Sequence, residues 1–187
     1  MARCYNAAMP MRQPALPRLW LLSDRRNDAM LEAALARLPP GSGFIFRHAH
    51  LCPAERRARF RALCAIARRR RHLVVLAGDA ALARRWGADG AYGSPRRQAR
   101  GPALLRLAAV HDLAEIGAAR RAHALLLSPV FATRSHPRAR LLGVQRFLAL
   151  AARAQVPVIA LGGMDAQRAR RLGGVGWAAI DALGLVG

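Results

Sequence analysis

The chain is constrained above all by a series of eight short apolar runs, most of them followed by a turn and a helical pattern. The runs span residues 19–24, 43–48, 72–78, 90–93, 105–111, 124–131, 156–163 and 176–183. Short Val-, Ile- and Leu-rich strands that alternate with helices indicate a parallel sheet covered by helices on its faces. Eight such units favour a closed (β/α)8 barrel, known as a TIM barrel, over an open doubly wound sheet.

Helical patterns fill most of the intervals between these runs. They cover residues 28–38, 54–71, 79–86, 112–121, 144–154 and 165–172. With 187 residues the chain is compact for this fold, which usually needs roughly 200 or more. Nothing after Leu183 is long enough to form an eighth helix, so the sequence predicts a barrel without its final helix.

Domain organisation follows from the same pattern. We expect residues 1–17 to form a loose basic leader and residues 18–187 to form a single barrel domain. The missing final helix would expose one face of the barrel. Either the leader covers that face or a second copy of the chain does, so a homo-oligomer remains one of two alternatives.

Polar side chains follow the apolar strands at their C-terminal ends. They include Asp24, Arg47, His48, Asp79, Tyr92, His111, Ser128, Gly162, Gly163 and Asp181. Active sites of (β/α)8 enzymes are built at this end of the barrel. The pattern therefore predicts a functional site at this rim.

The charge of the chain is strongly positive, because 31 arginines and no lysine face 10 acidic residues. A net charge of +21 is typical of a nucleic-acid binder, but arginines on ordinary solvated helix faces also produce it. In residues 54–71, Phe60, Leu63, Cys64 and Ala67 recur at helical spacing and arginines fill the remaining positions. We therefore expect a surface helix packed on a core, and we favour this interpretation of the charge over a nucleic-acid site.

Other classes of protein are excluded by composition. The hydrophobic fraction of 53% is sufficient for a packed core, and every apolar stretch is shorter than the roughly 18–20 residues that cross a bilayer. Cys4, Cys52 and Cys64 lack the spacing of a zinc site and are odd in number. We therefore expect a soluble protein of a reducing cytoplasm.

Three segments resemble motifs of the thiamine-phosphate synthase family, which includes the related thiazole tautomerases. They are SPVFATRSHP at 128–137, VPVIALGGMD at 156–165 and LAGDAALARRWGADGAYG at 76–93, and the resemblance extends in order over residues 19–183. It implies a (β/α)8 barrel. It also implies an enzyme of thiamine biosynthesis that couples a pyrimidine methyl pyrophosphate to a thiazole phosphate and releases pyrophosphate with the help of Mg²⁺.

The resemblance assigns catalytic roles to three positions. Arg47 matches an arginine that contacts pyrophosphate, and Asp79 matches an aspartate that binds magnesium. His136 stands where the family has a lysine, so a conditional cation replaces a permanent one. Arg134 or Arg138 is a candidate to compensate for that lysine.

The resemblance also implies a set of substrate-binding residues. They are His111, Thr133, Ser135, Gly162, Gly163, Ile180 and Asp181. The Gly162–Gly163 amides suit a phosphate group, because exposed amides after a late barrel strand commonly bind one. A turn into the next helix is the alternative role for this glycine pair.

Several positions depart from the family pattern. Ile45 and Ala49 stand where the family has glutamine and lysine, Gly78 replaces an asparagine, and Asp181 replaces a serine that receives phosphate. A diverged thiazole tautomerase-like or thiamine-salvage protein is therefore an alternative. A non-catalytic barrel that binds phosphorylated ligands or nucleic acid is an alternative of another class.

Overall fold

The structure is a computed structural model that describes residues 16–134 and 139–181. Eight strands each pair in parallel with the next, and the eighth pairs with the first, so the sheet closes into a barrel. The strands are β1 (Leu19–Leu22), β2 (Gly43–Phe46), β3 (Leu73–Ala77), β4 (Gly90–Gly93), β5 (Leu105–Val110), β6 (Ala124–Leu127), β7 (Val158–Leu161) and β8 (Gly176–Ala179).

Seven α-helices cover the barrel in the described part of the chain. They are α1 (Leu31–Arg37), α2 (Pro53–Arg69), α3 (Ala80–Trp86), α4 (Pro95–Gln98), α5 (Leu113–Ala118), α6 (Gly143–Ala151) and α7 (Ala166–Arg170). The eight-stranded TIM barrel that the sequence predicts is thus confirmed, and it carries seven α-helices within residues 16–134 and 139–181. Of the expected leader, residues 1–15 lie outside the described residues.

The first helix differs from its prediction. A 3-10 helix over Arg25–Met30 precedes α1, whereas the sequence predicts a single helix over 28–38. Asp24 starts the 3-10 helix, because its side chain accepts from the Arg26 amide and its own amide donates to the Asn27 side chain. This capping begins the helical segment one turn earlier than the apolar periodicity indicates.

The core consists of three clusters of buried apolar residues. The inside of the barrel is filled by Trp20, Leu22, Ile45, Val75, Leu107, Ala124, Leu126, Ile159 and Ala178. Two further clusters lie between the strands and the surrounding helices. In α2 the predicted face is confirmed, since Phe60, Leu63, Cys64 and Ala67 are buried.

None of the helices in the described part of the chain is long and apolar enough to span a membrane.

Candidate active site at the mouth of the barrel

Three adjoining cavities lie along the C-terminal ends of the strands and form one groove. We call them the arginine cavity (about 500 Å³), the central cavity (about 340 Å³) and the glycine cavity (about 260 Å³). Arg47 and Tyr92 line both the arginine and the central cavities. Thr133, Gly162 and Ile180 line both the central and the glycine cavities. The groove therefore passes over the centre of the barrel between two chemically different ends.

The arginine cavity carries most of the positive charge in the groove. It is lined by Arg25, Arg47, Arg56 and Arg97, together with backbone and side chains at the ends of β1 to β4. The carboxylate in its lining belongs to Asp24. Four guanidinium groups against one carboxylate favour a multiply charged anion.

Arg47 is fixed at the boundary between the arginine and central cavities. Its Nη2 donates to Asp24, its Nε donates to the Ser23 carbonyl at 2.9 Å, and its amide donates to the Ser23 hydroxyl at 2.7 Å. Burial raises the pKa of Asp24, but hydrogen bonds from Arg26 and the charge of Arg47 outweigh it and hold that pKa below its usual range. Asp24 therefore stays ionised and positions Arg47.

Arg56 reaches from α2 towards the ends of β2 and β3. Its Nε donates to the Arg47 carbonyl at 2.9 Å, and its Nη2 donates to the Ala77 carbonyl at 2.6 Å. The guanidinium also lies 5.4 Å from the centre of the Trp86 ring. These contacts hold a permanent charge in one place, which is the kind of preorganised cation that stabilises a developing anion.

A buried hydrogen-bond chain lies beside the arginine cavity. The Ser23 hydroxyl is 2.8 Å from Nδ1 of His48, and Nε2 of His48 is 2.7 Å from Asp28. Asp28 has a pKa below its usual value, so it is ionised and can only accept, which means that Nε2 of His48 donates to it. Nδ1 of the neutral ring then accepts from the Ser23 hydroxyl. Burial lowers the pKa of His48, which keeps the ring neutral. Ser23 is fully buried, so the chain supports Arg47 and offers no exposed nucleophile.

The central cavity is lined by apolar surface with a few polar groups. Tyr92, Pro129, Leu161 and Ile180 contribute ring and aliphatic walls. His111 follows β5, and its Nδ1 lies 2.8 Å from a Glu115 carboxylate oxygen on α5. An apolar lining with a few polar groups is typical of a small-molecule binding site.

The glycine cavity combines the turn after β7 with the end of β8. Asp181 is about one third exposed there and accepts from Arg134 at 2.8 Å, with Arg26 at 3.7 Å. Arg168 donates to the Gly163 carbonyl and lies 3.5 Å from Asp165. Positive and negative groups are nearly balanced here, in contrast to the arginine cavity.

The glycine pair after β7 is required by the close approach of the chain after β6. Gly162 and Gly163 have φ values of +95° and +59°. A Cβ on Gly162 would lie 2.8 Å from the Cα of Pro129, and one on Gly163 would overlap the carbonyl oxygen of Ala132. Both expected roles, a turn and an exposed backbone beside a ligand, are compatible with this geometry, and the phosphate role stays a prediction.

The structure brings most of the predicted site residues together. Arg47, His111, Thr133, Gly162, Gly163, Ile180 and Asp181 line the groove. Asp79 does not line any of the three cavities, and its side chain accepts from the Leu82 amide at 2.7 Å at the start of α3. Ser135 and His136 lie outside the described residues, as does Arg138.

The donor set around the groove does not suit magnesium, although the family is magnesium-dependent in general. Mg²⁺ prefers carboxylate oxygens, but Asp79 caps a helix and Asp24 is engaged by two arginines. The segment after β4, which comprises Ser94 and helix α4, contains no carboxylate. Within residues 16–134 and 139–181, no three His, Cys, Asp or Glu side chains are grouped as metal ligands.

Six charged residues that line the groove were not named as candidates from the sequence. They are Arg25, Arg56 and Arg97 in the arginine cavity and Arg26, Asp165 and Arg168 in the glycine cavity. Arg97 lies in α4, four residues after the end of β4, and Arg56 lies in the first turn of α2, ten residues after the end of β2. Neither is adjacent to a strand end, so the sequence did not distinguish them among 31 arginines.

Comparison with known proteins gives a family and a fold. A family model described as thiamine monophosphate synthase matches residues 19–183. No curated protein sequence matches the chain.

Among solved structures, a thiamine phosphate pyrophosphorylase from Pyrococcus furiosus is 24% identical, with a TM-score of 0.75, over 90% of this chain and 88% of that one. A thiamine phosphate pyrophosphorylase from Bacteroides thetaiotaomicron is 14% identical, with a TM-score of 0.59, over 87% and 81%. The YdjI aldolase from Escherichia coli K12 is 10% identical, with a TM-score of 0.59, over 87% and 74%. At these identities the structural matches support the barrel fold alone.

Proposed function

Because the chain belongs to the thiamine monophosphate synthase family, we propose that it is a transferase that couples a pyrimidine methyl pyrophosphate to a thiazole phosphate. The products would be thiamine phosphate and pyrophosphate. Phosphorylated pyrimidine and thiazole molecules are accordingly its proposed ligands.

One observation carries this proposal, namely a continuous groove that has four arginines at one end and Arg134 beside the Gly162–Gly163 backbone at the other. The arginine cavity offers four guanidinium groups for a diphosphate. The glycine cavity offers Thr133, Arg134 and the Gly162–Gly163 backbone for a phosphate monoester. The central cavity between them has the size and apolar lining for stacked or adjacent heterocycles. A reaction that joins two anionic heterocycles needs this order of sites.

The chemistry proposed for the groove is a substitution at the methylene carbon of the pyrimidine. The bond from this carbon to the diphosphate oxygen breaks, and its electron pair leaves with the diphosphate. The thiazole ring nitrogen supplies the electron pair of the new carbon–nitrogen bond. Arg47 and Arg56 would stabilise the charge on the leaving group, while the walls of the central cavity align the two rings and exclude water.

Magnesium is not given a step in this proposal. In the family it supplies charge to the departing pyrophosphate, but Asp79, its expected ligand here, is the N-cap of α3. The cationic side chains of the arginine cavity are therefore assigned the stabilisation of the leaving group.

The proposal is tested by incubating the purified chain with both substrates and following thiamine phosphate and pyrophosphate together. We expect the two products in equal amounts, and Arg47→Gln should lower kcat. Absence of thiamine phosphate at high enzyme concentration would reject the proposed activity.

A second candidate function is a proton transfer on a thiazole ring, as in the tautomerase branch. It is favoured by the contact between His111 and Glu115 beside the central cavity, since a carboxylate can orient a histidine as a general base. Deuterium incorporation from heavy water into a thiazole phosphate, lost in His111→Gln, would support this function over the coupling reaction.

A further inference from the structure

We infer that the arginine cavity binds and stabilises the leaving diphosphate with guanidinium groups in place of a divalent metal. The inference rests on the proposed coupling function and adds that the reaction is metal-independent. Arg25, Arg56 and Arg97 are the groups to which it assigns this role, beside Arg47 at the boundary with the central cavity.

The charges in this cavity are arranged to receive an anion rather than a cation. Asp24 is the carboxylate in its lining, and both of its oxygens are engaged, one by Arg26 at 2.9 Å and one by Arg47. A metal ion would have to compete with two ion pairs for this carboxylate. The remaining arginines would repel a metal ion, whereas a diphosphate would be attracted by all of them.

The arginines differ in how firmly they are held, and the difference suits their proposed task. Arg56 is partly buried, and two of its nitrogens donate to the carbonyls at the ends of β2 and β3. Arg25 and Arg97 are exposed at the rim, so they can close on a bound ligand. Guanidinium groups pair with phosphate oxygens through two parallel hydrogen bonds, which gives direction as well as charge.

The electron balance of the proposed substitution requires no metal ion. The breaking carbon–oxygen bond gives its electron pair to the diphosphate, and the thiazole nitrogen gives its lone pair to the same carbon. No proton, oxidant or reductant is required. The cavity has only to neutralise the negative charge that accumulates on the departing group, a role that cationic side chains as well as metal ions can fill.

Calorimetric titration with inorganic pyrophosphate tests the binding part of the inference. We expect saturable binding in excess EDTA, with a Kd within about threefold of the Kd in Mg²⁺. Binding that is absent in EDTA and restored by Mg²⁺ would overturn the inference.

Two variants that each remove one positive charge from the cavity, together with a matched control, locate the site. Arg97→Gln and Arg25→Gln should each weaken pyrophosphate binding by about tenfold, the effect of one charge-assisted hydrogen bond. Arg57→Gln removes the same charge from the exposed surface of α2, outside all three cavities, and should leave the Kd unchanged. Equal weakening by all three substitutions would indicate diffuse surface charge and would overturn the inference.

The coupling reaction, run in parallel with EDTA and with Mg²⁺, separates the inference from the proposed function. Equal product in both arms supports the inference. Product in the Mg²⁺ arm alone overturns it and leaves the synthase function standing. If neither arm gives product, the synthase function fails, and metal-free pyrophosphate binding still decides whether the arginine cavity is a diphosphate site.

Discussion

Arg134 and Asp181 form an ion pair of 2.8 Å that joins the chain after β6 to the end of β8, across the glycine cavity. The same carboxylate lies 3.7 Å from Arg26. The Asp181 carboxylate thus forms ion pairs with two arginines at the end of the groove where the resemblance implies that a phosphate ester binds. Any phosphate that binds there must compete with this carboxylate for the same cations.

Replacing Asp181 with serine should strengthen the binding of thiazole phosphate. The substitution removes a negative charge from the cavity and releases Arg134, so we expect a Kd about tenfold lower by calorimetry. Glu55→Gln, a neutralisation at the start of α2 outside the groove, controls for net charge. An unchanged affinity in Asp181→Ser would show that the phosphate does not use this cavity.

Gly163→Ala should destabilise the protein far more than Gly173→Ala. Both glycines have similar φ values, +59° and +63°, but a Cβ at 163 would overlap the Ala132 carbonyl oxygen while one at 173 has nothing within 4 Å. We expect losses of about 3 kcal/mol and about 1 kcal/mol in the free energy of unfolding, from denaturant titration. Equal losses would mean that the chain after β6 does not pack on the glycine pair.

The buried His48 predicts a loss of stability in mild acid. Burial lowers its pKa in the folded state, so the unfolded chain binds the proton more readily, and the free energy of unfolding falls as the pH drops below about 6.5. The pKa values of His72 and His123 are lowered by burial in the same way. Urea titrations between pH 7.5 and 5.5 measure the slope.

His48→Gln should reduce that slope, because it removes a buried imidazole whose pKa is lowered in the folded state. The flanking Asp28 stays ionised over this range because its pKa lies below its usual value. Arg59 stays protonated because its hydrogen bond to Glu32 raises its pKa. A slope in His48→Gln that is identical to the slope of the unsubstituted chain would contradict the assignment of acid sensitivity to His48.

Arg106→Met should be strongly destabilising although no acidic partner is lost. Arg106 is 2% exposed, and its guanidinium donates to the carbonyls of Arg100, Gly101 and Pro102 at 2.6–2.8 Å, as well as to Gln98. Methionine would leave these carbonyls without a donor, at a cost of at least about 2 kcal/mol. The exposed Arg120→Met is the matched control for thermal unfolding, and a loss as large as in Arg106→Met would contradict the structural role.

The barrel could be predicted from the sequence because its signal is local and repeated. Each strand, such as Leu73–Ala77, is an apolar run with a turn and a helix behind it, and strand count alone selects closure. The 3-10 helix at Arg25–Met30 could not be predicted in this way, since it depends on the reciprocal cap between Asp24 and Asn27. Arg106 within β5 gave no indication of its role, because its carbonyl partners depend on how the chain turns after α4.

The candidate site was predictable at strand ends and less so elsewhere. Arg47, Gly162 and Asp181 follow strands directly, so barrel topology places them on one rim. Asp79 also follows a strand, but its side chain accepts from the Leu82 amide at the start of α3 and does not line the groove. Arg56 and Arg97 reach the groove from helices, and only the packing of those helices decides this.

The most direct test is a crystal structure of the chain with thiamine phosphate and pyrophosphate bound together. We predict pyrophosphate among Arg25, Arg56 and Arg97, the joined rings in the central cavity, and the phosphate ester against Gly162–Gly163 with Asp181 displaced from Arg134. Ligand density outside the groove, or products bound in the reverse orientation, would contradict the account.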